Sequence, residues 1–93
     1  MNITFKQLQV FRAVAQYENL GKAAEKLFIT KGAVSQALHE LEKQLGLQLF
    51  DRVHPNIHLN HEGRRLLPLA DELIRRSRDI GLMFSEESTH HYL

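Results

Sequence analysis

The chain has 93 residues, 43% of them hydrophobic, with no cysteine and a formal net charge of +1. Such a length allows one modest core and leaves little room for a cleft enzyme with its own substrate domain, while the missing cysteines exclude disulfide staples and thiolate metal sites. No charged leader followed by an apolar core opens the chain, and its uninterrupted apolar runs are short, so it reads as soluble and cytoplasmic with no membrane partner.

Thr4-Phe5-Lys6-Gln7 has the form of a capping box, and Phe5, Leu8, Phe11, Val14 and Ala15 follow at helical spacing. A first helix is predicted over about residues 5–17. Asn19 then caps a second helix, whose apolar stripe is Ala23, Ala24, Leu27 and Phe28. Thr30 caps a third, with Val34, Ala37, Leu38, Leu41 and Leu45 on its inner face, and Gly46 supplies a left-handed stop. From Ala23 to Gly46 the sequence therefore reads as two short helices joined by a tight polar turn.

The front of the third helix is uncommitted: Lys31, Gly32, Ser35, Gln36 and His39 are polar or small, and no Asp or Glu occurs between Lys26 and His39. That leaves a helix N-terminus, with its free N–H donors, open to a phosphate-lined groove. Net charge is uneven along the chain. Up to Asn60 seven Lys or Arg face five acids, whereas five Arg face six acids from His61 onward. The basic surplus belongs to the N-terminal part.

After Gly46 the pattern alternates on either side of a His-Pro-Asn turn, with Leu47, Leu49 and Val53 expected on one face and Ile57 and Leu59 joining them on the return. A small two-stranded wing is predicted over about residues 49–59. Asn60 caps a long helical segment from His61 to about Ser85, in which Leu66, Ala70, Leu73, Ser77, Ile80 and Phe84 recur at alternating spacings of four and three. This is a heptad seam; a helix packed on its own domain would also show it, but the seam runs past the edge of a small winged core, so a partner helix is preferred. Pro68 is expected to bend that helix without ending it. Residues 88–93 read as a disordered tail or the start of a further domain. The division is thus a winged helix-turn-helix head at 1–60, a linker or dimerisation helix at 61–87, and a tail.

The FRAVAQYENLGKAAEKLFIT and AVSQALHELEKQLGLQLFDR segments and the run of Asn60, Gly63, Leu66, Leu67 and Pro68 resemble the N-terminal domain of LysR-type transcriptional regulators. The resemblance covers Met1 to about Ser85 and implies a mainly α fold: a winged helix-turn-helix of three helices and a two-stranded wing, followed by a long linker helix. It also implies sequence-specific binding of double-stranded DNA by a bacterial regulator. A homodimer would bind an inverted repeat, with helix 31–45 in the major groove and the wing at the minor groove. Family members are longer, so a small-molecule effector and RNA polymerase are implied as partners of a longer chain. The resemblance puts Thr30 near phosphate, Ser35 near base edges or backbone, and Arg52 at phosphate or in support of the wing. Lys31, Gly32 and Gln36 depart from the residues frequent in the family, which bears on the target sequence.

Among the remaining candidates, Gln36 has the donor and acceptor pair for adenine, and Lys31 has the charge for guanine O6 and N7. Gly32 allows close backbone approach. Lys22 and Lys26 are candidate phosphate partners, and His39 completes the front of the helix. At the wing tip His54, Pro55, Asn56 and His58 stand where relatives often carry arginine. Histidine gains charge as pH falls toward about 6.5, so attraction at the wing is expected to grow below neutrality. His54, His58 and His61 lack the Cys or paired acids of a metal site, and no nucleophile with a base and no Gly-rich phosphate loop occurs, so neither a metal, a cofactor nor catalysis is expected. The competing reading is a winged-helix module that binds protein through the heptad helix without DNA.

Overall fold

A computed structural model describes residues 1–53 and 55–91, with side-chain environments up to residue 85. Three short helices come first, α1 (Phe5–Tyr17), α2 (Leu20–Leu27) and α3 (Lys31–Leu45), followed by strands β1 (Phe50–Val53) and β2 (Asn56–Leu59) and the long helix α4 (His61–His91). The fold is mainly helical, a winged helix-turn-helix with a long final helix.

Each early helix begins where a side chain satisfies its free N–H groups. Thr4 Oγ1 accepts from the Gln7 N–H at 3.1 Å while Gln7 Oε1 accepts from the Thr4 N–H at 3.1 Å. Asn19 Oδ1 accepts from Lys22 N–H at 2.8 Å, and Thr30 Oγ1 from Ala33 N–H at 3.0 Å. Each such cap is worth about 1 kcal/mol. The helix ends are less regular. Gly46 closes α3 at φ +72°, as its lack of Cβ permits, but Glu18 and Phe28 adopt the same left-handed region at φ 51° and 57° to close α1 and α2. For Phe28 the consequence is a correction: leaving the helix at α2's end, its ring is 94% exposed and does not join the stripe of Ala23, Ala24 and Leu27.

Phe11 is fully buried at the centre of the core, among Val10, Val14, Ala23, Val34, Leu38 and Leu41. Its ring meets that of Phe50 at 5.5 Å between centroids, tilted by 58°, so the root of the wing packs directly on α1. The strands pair antiparallel with Phe50 opposite Leu59 and Val53 opposite Asn56. Leu49, Phe50 and Ile57 are buried, whereas Leu47 and Val53, expected on the inner face, are exposed. Val53, three residues on from Phe50 and paired with Asn56, lies on the opposite face of the ribbon from Phe50, Ile57 and Leu59, away from the core.

The first turns of α4 close the same core. Ala70 is fully buried, Ile74 is buried beside it, and Leu66 and Leu67 pack against the cluster. Ala70 is therefore enclosed within the chain and not free for the partner seam predicted from the heptads, and Leu66 is partly taken up by the core. Beyond them Leu69, Leu73, Ile80 and Phe84 are more than half exposed, and Ser77 is exposed too. The unpartnered apolar face is displaced from the predicted one, taking in Leu69 and omitting Ala70. Helix α4 continues through Pro68 and extends to His91, beyond the expected end near Ser85, and no Gly or Pro follows Gly81 to interrupt it. Arg12 on α1 pairs with Asp71 on α4 at 2.7 Å, a partly exposed link between the long helix and the body.

At the crossing of wing and α4, Asn60 Oδ1 accepts from Gly63 N–H at 2.9 Å and the Asn60 side chain donates to the Gln48 carbonyl at 2.9 Å. A Cβ built on Gly63 would lie 2.2 Å from the Leu49 carbonyl oxygen and 2.7 Å from a Leu59 methyl. No side chain fits there without moving backbone. Gly63→Ala is expected to cost about 2–3 kcal/mol by overpacking, measured as a lower urea midpoint with unchanged slope; a loss below about 0.5 kcal/mol would contradict the close approach.

Candidate nucleic-acid interface

Helix α3 is seated by Val34, Leu38 and Leu41, all fully buried, and this fixes which side faces outward. Lys31, Gly32, Gln36 and His39 are exposed, and Ser35 is half-buried at their edge. The outward face is not wholly free. The Gln36 side-chain amide donates to Glu40 Oε1 at 3.4 Å, one turn on, so this residue has a weak partner in its own helix.

Thr30 is exposed and its hydroxyl oxygen is engaged in the cap of α3, which sets the orientation of the first α3 N–H groups. Gly32 has no need of glycine within the chain, since a Cβ there would meet nothing nearer than Thr30 Oγ1 at 3.9 Å. Lys22 is exposed in the first turn of α2. Lys26 is turned toward α1, its ammonium 5.9 Å from the centre of the Tyr17 ring, and borders a groove with Arg12, Ile74 and Arg78 rather than the front of α3. Lys26 does not line the cleft at the start of α3.

Between the start of α3 and the wing the surface is concave. A cleft of about 200 Å³ is lined by Asn19, Leu20, Gly21, Lys31, Arg52, Pro55, Asn56 and Ile57. The fold thus brings Lys31, Arg52 and Asn56 together from three separate positions in the sequence. His54 lies outside the described residues. His58 departs from expectation: its Nδ1 pairs with the Glu18 carboxylate at the end of α1, and Asp51 stands opposite it on β1. His58 is thus tied to the end of α1 and does not stand free at the wing.

Two supporting residues escaped sequence reasoning. Glu42 accepts a hydrogen bond from the Leu49 N–H at 2.8 Å, holding the segment that leads from α3 into the wing. Glu18 holds β2 through His58. Their signal in the sequence was only an acid at a helix end, and acids there are commonly solvated. Among the described residues no group of three His, Asp or Glu side chains is placed to hold a metal ion, and no helix is long and apolar enough to cross a membrane.

A family model for bacterial regulatory helix-turn-helix proteins of the lysR family matches residues 5–64. The chain belongs to the LysR family. Similar to it is the uncharacterized HTH-type transcriptional regulator YeiE of Escherichia coli K12, 41% identical over 88 residues, which are 95% of this chain and 30% of that protein. The chain spans about a third or less of the length of the curated relatives it matches. Among solved structures, the BenM_DBD/catB site 1 DNA complex superposes with a TM-score of 0.86 at 27% identity, covering 91% of this chain and 96% of that one. The CbnR_DBD-DNA complex gives 0.83 at 28% identity, covering 91% and 98%. These neighbours therefore share the fold described above over about nine tenths of this chain.

Because nothing inside this LysR-family chain requires the glycine at position 32, Gly32→Ala is expected to stabilise the fold by about 0.5–1 kcal/mol. Thermal unfolding would show a melting temperature raised by a few degrees; a lowered one would mean that the α3 entry is tighter than described.

Proposed function

We propose that the chain binds double-stranded DNA sequence-specifically as the reading head of a bacterial LysR-type transcriptional regulator. The observation that carries this is the exposed front of α3 from Lys31 to His39, free of acids, set beside a projecting wing that adds Arg52 and Asn56. With α3 in the major groove, Gln36 is released from Glu40 to hydrogen-bond a base edge, Ser35 reaches base or backbone, and Gly32 lets the helix approach closely. Thr30 and Lys22 face phosphate, His39 lies farther along the groove, and the wing with His54 and Asn56 meets the minor groove. Each good base contact contributes about 1–3 kcal/mol of discrimination. The DNA complexes of BenM_DBD and CbnR_DBD support this reading through their likeness in fold. No catalytic step and no cofactor enter it.

The exposed face of Leu69, Leu73, Ile80 and Phe84 supports a homodimer through α4, with Ser77 at its margin. Burying a leucine or isoleucine from water contributes about 1.5–3 kcal/mol each. Two heads joined in this way match an inverted repeat, with recognition helices about 34 Å apart in successive major grooves. A small-molecule effector and RNA polymerase, as partners of a longer cytoplasmic regulator, follow from the family resemblance.

Ile80→Asp places a charge in the α4 face and is expected to halve the mass seen in sedimentation and to weaken binding to a two-half-site duplex by at least tenfold; an unchanged mass would contradict pairing through α4. Gly32→Ala, expected to stabilise the fold, is predicted to weaken the same binding several-fold. Unchanged affinity in that variant would remove the close approach of α3.

A further inference from the structure

We infer that the cleft between α3 and the wing receives the sugar-phosphate strand that divides the major from the minor groove, and that Lys31 is an anchor for that backbone and not a reader of bases. This rests on the DNA-binding reading and gives one of its residues a different task. Neighbouring grooves of a duplex are separated by a single backbone strand, so a helix in one and a wing at the other must straddle it. Whatever lies between them faces phosphates, which position a protein without carrying sequence information.

The surface in that place suits the task. The cleft is walled by Lys31 from α3 and Arg52 from β1, with Asn19 and Asn56 beside them, and none of its lining residues is acidic. Neither cation has an ion-pair partner among the described residues. The Asn19 side chain spends its oxygen on the α2 cap, which leaves its N–H₂ group as a donor. On the other side of Arg52 a larger cleft of about 480 Å³ is lined by His39, Glu42, Gln48, Phe50 and Asp51. Its two carboxylates, one held in place by the Leu49 N–H, repel phosphate. Charge selects the smaller cleft.

The helical wheel agrees. At roughly 100° per residue, Gly32, Gln36 and His39 cluster within roughly 60° of one another, whereas Lys31 stands roughly 80–140° away, at the edge of α3 turned to the wing. Base reading then falls to Gln36, with Ser35 between it and Lys31, roughly 40° from the lysine.

The experiment uses the 93-residue chain, a random-sequence 25-base-pair duplex followed by fluorescence anisotropy between 50 and 200 mM KCl, and a selection of bound sites from random DNA. Lys31→Gln and Arg52→Gln are each expected to lower the steepness of log K against log salt by about 0.9, which is about eightfold weaker binding at 0.1 M salt. Sites selected by Lys31→Gln should match those selected by the parent. A parent with a steep salt dependence whose variants keep that steepness overturns the clamp while leaving DNA binding intact. Altered base preference in Lys31→Gln at constant steepness returns lysine to the bases and also overturns it. A parent with no salt-dependent binding overturns the DNA reading, and the clamp with it.

Discussion

Leu49 is where the functional parts of the molecule are tied together. Its N–H is held by Glu42 of α3 at 2.8 Å, its carbonyl accepts from the Asn60 N–H at 3.0 Å, and Gly63 of α4 is packed against that same carbonyl. The side chain is 1% exposed. One residue thus fixes the angle between the outward face of α3, the root of the wing and the start of the long helix. Buried backbone groups must be paired, and here the pairing joins elements that are distant in sequence, so the geometry of the cleft is set by hydrogen bonds that the fold cannot leave unmade.

From that knot the division of labour follows. The core of Phe11, Val34, Leu38, Leu41 and Phe50 orients α3 and the wing, and Ala70 and Ile74 draw the first turns of α4 into the same packing. Past Ile74 the helix leaves the body and carries apolar residues with nothing beneath them. An angle fixed at one end and an apolar face at the other suit the two-headed DNA reader proposed above, because half-site spacing is a geometric quantity. Surface ion pairs such as Arg12 with Asp71 contribute at most about 1 kcal/mol to this arrangement.

Much of this was legible in the residues. The caps at Thr4, Asn19 and Thr30 and the stop at Gly46 mark helix boundaries because each has a local chemical cause, and the acid-free front of α3 is visible from spacing alone. The misplaced positions share a different cause. Phe28 fits the helical stripe by spacing, since a phenylalanine seldom closes a helix in the left-handed region, yet the fold sets its backbone there. Leu66 and Ala70 fit a heptad seam equally well whether the neighbour is a second chain or the chain's own core. Lys31 could be placed at the front of α3, but its position across a cleft from Arg52 depends on how the wing is hung. The pairing of Glu18 with His58 spans 40 residues and leaves no local pattern.

The central claim is that the front of α3 and the wing form one surface for DNA while the exposed face of α4 serves a second copy. Backbone amide chemical shifts followed during titration with a double-stranded DNA fragment test it most directly. The account predicts shifts concentrated at Asn19–Lys22, Lys31–His39 and Arg52–Asn56, with residues 66–85 little changed. Shifts confined to α4, or absent from α3 and the wing at saturation, would contradict it.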